Sequence, residues 1–307
     1  MRLISAEQFR AGMTWEKAIS ALAQGHLGAP PLVQDLLLTS GAFSLFGRGV
    51  ILPGRGAGMK IASIHPPNLT RAEPLPAEDA AFAVIDEDSK RISAILDGAE
   101  LTRWKTAADS ALGSRILSRP DSETLLVLGA GPIAAALAEA HVHVRPAIRR
   151  ILLWNRSPDR LAEMRRLLGP LQRELRVESD LPGAVRQADI ITSATGSREP
   201  LIRGEDVRPG THVDLVGGYT PDMREADDQL VAKADVHVNF RASAIGQVGD
   251  ICQPISNGTI SEKDIRGDLF DLVGRDLSRR LGGITLYKNA GGAYMDLLVA
   301  RAYLNGQ

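Results

Sequence analysis

Cysteine, long apolar runs and net charge are all scarce in this chain of 307 residues. The single cysteine, Cys252, excludes an internal disulfide and is typical of a reducing compartment. No apolar run reaches the roughly 18 residues that a membrane-spanning helix needs. The N-terminal residues also lack the basic and apolar regions of a signal peptide. We therefore expect a cytoplasmic protein without membrane partners.

The charges are balanced, with 36 Lys and Arg against 37 Asp and Glu. Such a balance creates no global field that would favour nucleic acid or a membrane surface. Hydrophobic residues make up 44% of the chain, which is enough for apolar cores in two domains of ordinary size. The composition thus favours a protein whose partner is a small molecule.

The hydrophobic pattern changes twice along the chain. Residues 1 to about 28 have helical spacing. Short apolar runs then alternate with Gly and Pro from Pro30 to Leu96, which predicts an antiparallel or mixed sheet with tight turns. Apolar residues from Leu101 to Ile116 recur at helical spacing again. We interpret that helix as the connection between two domains.

From about residue 120, strands and helices alternate. The predicted strands are Thr124–Leu128, Ile151–Trp154, Leu175–Val177, Ile190–Ala194, His212–Val216 and Val236–Asn239, with a later one at Ile284–Tyr287. This rhythm predicts an α/β fold with a doubly wound parallel sheet of the Rossmann type. A final helix near 290–304 is expected to return to the first domain. The predicted domains are residues 1–113 with 291–307, and residues 114–290.

A glycine turn joins the first of these strands to its helix. Gly129, Ala130 and Gly131 precede Pro132 and Ile133, at the start of an Ala-rich helix. The first amides of a helix have no internal partner, so a strand, a glycine turn and a helix together form an anion site. The spacing matches the GxGxxA form of the dinucleotide fingerprint. The alternative is a plain tight turn.

The end of the second strand indicates which dinucleotide is bound. A carboxylate there would bind the adenosine ribose and favour NAD. This chain has Asn155, Arg156 and Ser157 instead, and a guanidinium flanked by polar groups suits a phosphate. The residues therefore favour NADP, and the alternative is that Arg156 is a solvated surface residue.

Small residues follow two further strands. Ala194 and Thr195 end the fourth strand, and Val216 and Gly217 end the fifth. Ligands of open parallel sheets bind at this carboxyl edge, so the nicotinamide half is expected here. Ordinary loop residues are the alternative reading.

Two lysines in the first domain are candidates for binding an anion. Lys60 lies in an apolar strand, where a cation needs a partner such as a substrate carboxylate or a structural Asp or Glu. Lys105 lies on the connecting helix, and an ion pair with Asp109 is its alternative. His141 and His143 point to different faces of a helix, so no metal site is predicted.

Several segments, in order, resemble the ornithine cyclodeaminase/mu-crystallin family. They are LPG at 52–54, GMKIASIHPPN at 58–68, AILDGAELTRWKTAADSAL at 94–112, the glycine-turn segment at 128–148, ADIITSATGSREP at 188–200, VGGYTPDMREAD at 216–227 and LYKNAGGAYMDL at 286–297. The resemblance implies a homodimer in which a Rossmann domain accompanies a substrate-binding and dimerisation domain. It also implies hydride transfer between nicotinamide and an amino-acid carbon or its imine.

The resemblance assigns Lys60 to the family's carboxylate-binding, acid–base lysine. Lys105 stands where the family has Arg, and Tyr219 stands where ornithine cyclodeaminase has the Asp that handles the substrate's amino group. Family members usually have an arginine shortly after a proline in the first sheet, and residues 30–33 (PPLV) contain none, so Arg48 on a neighbouring strand is the candidate to replace it. Asn68 belongs to the same matching segment as Lys60 and is a further substrate-binding candidate.

The leading hypothesis is an oxidoreductase that reduces a small cyclic imino acid, such as pyrroline-2-carboxylate, with NADP(H) preferred and NAD(H) possible. Lys60 and Lys105 would bind the carboxylate, and Lys60, a water or Tyr219 would supply the proton. The alternatives are an ornithine cyclodeaminase, an alanine dehydrogenase and a dinucleotide-dependent ligand-binding protein without activity.

Overall fold

The computed structural model describes residues 1–275 and 282–306, which divide into two units. The first unit comprises Met1–Lys105 and the residues from Gly292 onward, and the second comprises Thr106–Gly291. The division follows Lys105, inside helix α3 (Gly98–Leu117), and the boundary predicted from the sequence, after residue 113, lies in the same helix. Residues 276–281 and 307 of the predicted domains lie outside the described part.

The first unit contains a six-stranded mixed sheet. Its strands are β1 (Arg2–Ile4), β2 (Leu32–Ser40), β3 (Phe43–Leu52), β4 (Gly56–Ile64), β5 (Glu78–Ile85) and β6 (Ile92–Asp97), in the order β1-β6-β5-β4-β3-β2. β1 pairs with β6 in parallel, and the other pairs are antiparallel. All nine residues of the edge strand β2 are exposed.

The N-terminal segment, for which the spacing predicted helical structure, forms β1 and then two helices. These are α1 (Ala6–Gly12) and α2 (Trp15–His26). The break occurs because Ser5 and Thr14 cap the two helices, each accepting a hydrogen bond from a backbone amide three residues later. The last helix of the chain, α11 (Ala293–Asn305), packs on α2 and on β3, β4 and β5.

The second unit contains eight parallel strands. They are β7 (Thr124–Leu128), β8 (Arg150–Trp154), β9 (Glu174–Val177), β10 (Ile190–Ser193), β11 (His212–Leu215), β12 (Asp235–Val238), β13 (Ile265–Gly267) and β14 (Thr285–Lys288). The order β13-β12-β14-β11-β10-β7-β8-β9 confirms the predicted doubly wound sheet. The strand order reverses at β7, which lies between β8 and β10. Ligands of open parallel sheets bind at such a switch point.

Both faces of the parallel sheet are buried. Alternate residues of β7 enter different apolar clusters, Leu126 and Leu128 on one face and Leu125 and Val127 on the other. The helices of this unit are α4 (Pro132–Val144), α5 (Leu161–Leu168), α6 (Leu181–Gln187), α7 (Asp228–Lys233), α8 (Arg241–Ala244), α9 (Gly249–Ser256) and α10 (Leu269–Leu272). In the described ranges, no helix has both the length and the hydropathy to cross a membrane.

Candidate functional site

The glycine turn after β7 has the geometry of an anion site. Gly129 has φ +114°, and a Cβ on it would lie 2.6 Å from the carbonyl oxygen of Ala194, so only glycine fits. Gly131 is the N-cap of α4, and no heavy atom lies within 4 Å of the place where its Cβ would be. No side chain of the described residues caps the helix, and Pro132 occupies its first turn. A helix start without a side-chain cap leaves backbone amides free to bind an anion such as a pyrophosphate.

The remaining residues of the predicted cofactor set lie around this turn. Ala130 and Ile133 flank the glycine and proline and are half-buried. Asn155 donates a hydrogen bond of 2.8 Å from Nδ2 to the carbonyl oxygen of Ser157, which orders the loop after β8. Arg156 is exposed, and no carboxylate of the described ranges forms an ion pair with it. Its guanidinium is available for a phosphate.

A buried glutamate ties together the loops after β10 and β11. Glu225 Oε1 accepts hydrogen bonds from Ser193 Oγ (2.5 Å), and from the amide and Oγ1 of Thr195 (both 2.8 Å). Its Oε2 accepts one from the amide of Gly217 (2.7 Å). Ala194 and Val216 also lie in these loops, and their amides bond to Leu128 and Ser193. The two loops predicted to contact the nicotinamide half are thus hydrogen-bonded to the same carboxylate.

Glu225 belongs to a fully buried charged cluster that the sequence reasoning missed. Asp250 accepts hydrogen bonds from the amide of Glu225 (2.7 Å) and from the ammonium of Lys288 (2.9 Å). All three side chains are fully buried. Burial and the neighbouring Asp250 raise the pKa of Glu225 to about 7, while Lys288 opposes this. Lys288, a lysine ending an apolar strand, was the one signal that could have indicated the cluster.

Lys60 is half-buried in β4 and points its ammonium at the first turns of α3. Nζ donates a hydrogen bond of 2.7 Å to Thr102 Oγ1. No Asp or Glu of the described ranges lies within ion-pairing distance of it. The sequence left two partners open for Lys60, a substrate carboxylate and a structural Asp or Glu. The described part of the chain supplies no structural carboxylate.

Lys105 is buried and has its own carboxylate. Nζ lies 3.2 Å from Asp296 Oδ2 and donates a hydrogen bond of 3.2 Å to the carbonyl oxygen of Gly292. The ion pair considered for Lys105 is thus made with Asp296 rather than with Asp109. Burial lowers the pKa of Lys105, Asp296 opposes that effect, and the positive charges of Lys60 and Arg48 lower it further.

Arg48 is the cross-strand partner of Lys60 in β3. Its guanidinium forms an ion pair with Asp35. Lys60 and Arg48 also lower the pKa of Lys105, so the three cations predicted to bind the substrate lie near one another. Arg48 and Lys105 have acidic partners, whereas Lys60 has none in the described ranges, so its charge is left for a ligand.

Two predicted residues have other surroundings. Asn68 donates a hydrogen bond of 3.0 Å from Nδ2 to the carbonyl oxygen of Pro76, and so holds a loop closed after β4. Tyr219 belongs to the second unit, where its side chain is 69% exposed. Neither the hydrogen bond of Asn68 nor the exposure of Tyr219 shows a ligand-binding role, so both assignments stay predictions.

Comparison with known proteins gives consistent results. Residues 49–304 match the profile of the ornithine cyclodeaminase/mu-crystallin family. The chain is 42% identical over 290 residues to the Delta(1)-pyrroline-2-carboxylate reductase of Paracoccus denitrificans, with 94% of this chain and 91% of that protein covered.

Two solved structures share the whole fold. One is the Thermococcus litoralis Delta(1)-pyrroline-2-carboxylate reductase in complex with NADH and L-proline, with a TM-score of 0.89, 25% identity, and 100% of this chain and 97% of that chain covered. The other is the iminosuccinate reductase of Paracoccus denitrificans in complex with NAD+, with a TM-score of 0.90, 25% identity, and 100% and 96% covered.

Proposed function

The chain belongs to the ornithine cyclodeaminase/mu-crystallin family, and we propose that it reduces a small cyclic imino acid of the pyrroline-2-carboxylate class with a nicotinamide dinucleotide. The prediction of an oxidoreductase acting on CH–NH or C=N groups agrees with the named activities of its relatives. The observation that carries the proposed substrate class is Lys60, whose ammonium has a hydroxyl partner and no acid partner in the described ranges.

Lys60 is assigned the substrate carboxylate. An ammonium has three N–H donors, and Thr102 takes one of them, so two are left for an incoming anion. Asp296 and Asp35 balance the charges of Lys105 and Arg48, so the carboxylate is bound mainly by Lys60. One charge-assisted hydrogen bond from Lys60 would thus orient the imino acid. Orienting the substrate in this way favours hydride transfer by bringing the reacting atoms together.

The turn at Gly129–Gly131 with Pro132 and Ile133 would hold the pyrophosphate, and Asn155, Arg156 and Ser157 would hold the adenosine end. The reduced dinucleotide supplies the hydride when it is bound. We assign protonation of the imine nitrogen to Lys60, a water or Tyr219. Arg156 is the reason to propose NADP(H) as the preferred cofactor. NAD(H) is the second candidate because the two similar structures contain NADH and NAD+.

The edge strand β2 supports a homodimer. It exposes Leu32, Val33, Leu36, Leu37 and Leu38 by 41–64% each. Because β2 ends the sheet order, one of its edges has no strand partner among the residues that the structure describes. A long apolar edge strand is an aggregation hazard unless it is covered. A second copy presents the same strand, so a two-fold axis would cover both.

The test is the oxidation of NADPH or NADH, followed by absorbance, on addition of Δ1-pyrroline-2-carboxylate to the purified protein. We expect turnover and formation of proline. Ammonia release from ornithine without net change in the dinucleotide would favour a cyclodeaminase instead. Tight dinucleotide binding with no turnover of five- or six-membered ketimines, ornithine or alanine would favour the non-catalytic alternative.

A further inference from the structure

We propose that Glu225 is a positioning residue for the nicotinamide half of the dinucleotide, and that its ionised form strengthens binding of the oxidised dinucleotide relative to the reduced one. The inference rests on the proposed function in one respect, that a nicotinamide dinucleotide occupies the carboxyl edge of the parallel sheet.

The positioning role follows from the hydrogen bonds. A single carboxylate accepts the backbone amides of Thr195 and Gly217, so it sets the distance between the loops that follow β10 and β11. The contact is too close for any side chain at residue 217, because a Cβ there would lie 2.6 Å from Glu225 Oε1 and 2.0 Å from the carbonyl oxygen of Thr195. Both loops leave adjacent strands at the edge where ligands bind in this fold.

The charge effect follows from the composition of the cluster. Among the described residues, Asp250 at the start of α9 and Lys288 at the end of β14 are the charged groups that act most strongly on Glu225. Two ionised carboxylates and one ammonium leave one negative charge in a buried site. The oxidised nicotinamide ring carries a positive charge and the reduced ring carries none. A negative charge beneath these loops therefore favours the oxidised form, and charges interact strongly where water is excluded.

Protonation of Glu225 weakens both the positioning of the two loops and the preference for the oxidised dinucleotide. In the described ranges, four groups form hydrogen bonds with the Glu225 side chain and all four donate to it, which suits the ionised carboxylate. A protonated Glu225 would have to donate, and only the hydroxyls of Ser193 and Thr195 can turn to accept. The cluster then becomes neutral and the bond to the Thr195 amide weakens. Because burial raises the pKa of Glu225 to about 7, the change occurs near neutral pH.

The experiment measures the dissociation constants of NADP+ and NADPH by fluorescence titration between pH 5.5 and 8.5. The 2′-phosphate titrates near pH 6, but it is common to both ligands, so their ratio cancels its effect. We expect the ratio Kd(NADP+)/Kd(NADPH) to fall about fivefold or more as the pH rises. For Glu225→Gln we expect a flat ratio and weaker binding of both ligands. If only NAD+ and NADH bind, the same ratio is measured with them.

Asp214→Asn is the matched control. Asp214 is a buried carboxylate in the middle of β11, and it accepts hydrogen bonds from Ser110 (2.9 Å) and Thr192 (2.6 Å). Burial raises the pKa of Asp214, but His141, 3.2 Å away, and Thr192 lower it by more, so the net pKa lies below its ordinary value and outside this pH range. The variant should therefore keep the native pH profile of the ratio. A native ratio that is constant with pH would overturn the inference even if Glu225→Gln does not fold. Failure of both dinucleotide pairs to bind would instead overturn the proposed function.

Discussion

Lys60 and Thr102 are joined by a hydrogen bond whose direction is fixed. The hydroxyl hydrogen of Thr102 is used in a 2.6 Å bond to the carbonyl oxygen of Gly98, so its lone pair accepts from Lys60 Nζ at 2.7 Å. The first turns of α3 therefore hold the ammonium of β4 in one place. This pair links the cation proposed to bind the substrate to a rigid helix.

Replacing Lys60 by Met removes the charge but keeps an unbranched side chain. A hydrogen bond to a charged group contributes about 1.5–3 kcal/mol, so we expect kcat/KM for the imino acid to fall by roughly 10- to 150-fold. The dissociation constant of the dinucleotide should not change. Lys90→Met, at an exposed lysine paired with Glu87, is the control. Equal activities of the two variants would remove Lys60 from the proposal.

Replacing Thr102 by Val keeps the shape of the side chain and removes the acceptor of Lys60. The ammonium then loses its fixed position, and we expect KM for the imino acid to rise by about 3- to 10-fold, which corresponds to about 1 kcal/mol. Thr102→Ser should restore most of the native value. An unchanged KM in steady-state assays of Thr102→Val would show that this hydroxyl does not orient the lysine.

Replacing Arg156 by Ala should reduce the preference for NADP over NAD. Charge-assisted bonds to phosphate are strong, so we expect Kd for NADPH to rise by about tenfold or more while Kd for NADH stays the same. Arg149→Ala is the control, because this exposed arginine lies just before the opposite end of β8 and pairs with Glu123. An equal effect on both dinucleotides would mean that Arg156 does not read the 2′-phosphate.

Glu225 should impose a pH dependence on stability. Its pKa in the folded protein is about 7, above the ordinary value of 4.5, so its contribution is fully present below about pH 4.5 and is lost as the pH rises through about 7. Calorimetric Tm values at pH 5 to 8 should therefore decline more in the native protein than in Glu225→Gln. Comparing the native protein with Glu225→Gln separates the effect of Glu225 from that of buried histidines such as His26. Burial lowers the pKa of His26, so its contribution to stability grows as the pH rises. Parallel curves would contradict the assignment.

The dimer proposal predicts that charges on β2 separate the subunits. Leu36 and Leu38 lie on one face of the strand and are 48% and 55% exposed. We expect light scattering to give twice the chain mass for the native protein and the chain mass for Leu36→Lys with Leu38→Lys. Leu167→Lys, at an exposed leucine of α5, should behave as the native protein does. A native monomer at micromolar concentration would refute the proposal.

The sequence by itself determined the doubly wound sheet, because an apolar run such as Leu125–Leu128 followed by Gly129 and an Ala-rich helix is a local pattern. The same local chemistry indicated Lys60, since a lysine in an apolar strand needs an explanation wherever the strand is placed. The anion site also depends only on neighbouring residues, because the glycine turn and the helix start are continuous in the chain.

Only the tertiary structure decided the partners of these charges. Asp296 reaches Lys105 from a helix at the other end of the chain, and Glu225, Asp250 and Lys288 meet although 25 and 38 residues separate them along the sequence. Glu225 lies in a stretch rich in charged residues that reads as solvated surface. Burial depends on which elements pack together, and the free energy of a buried charge depends on partners that no local pattern contains.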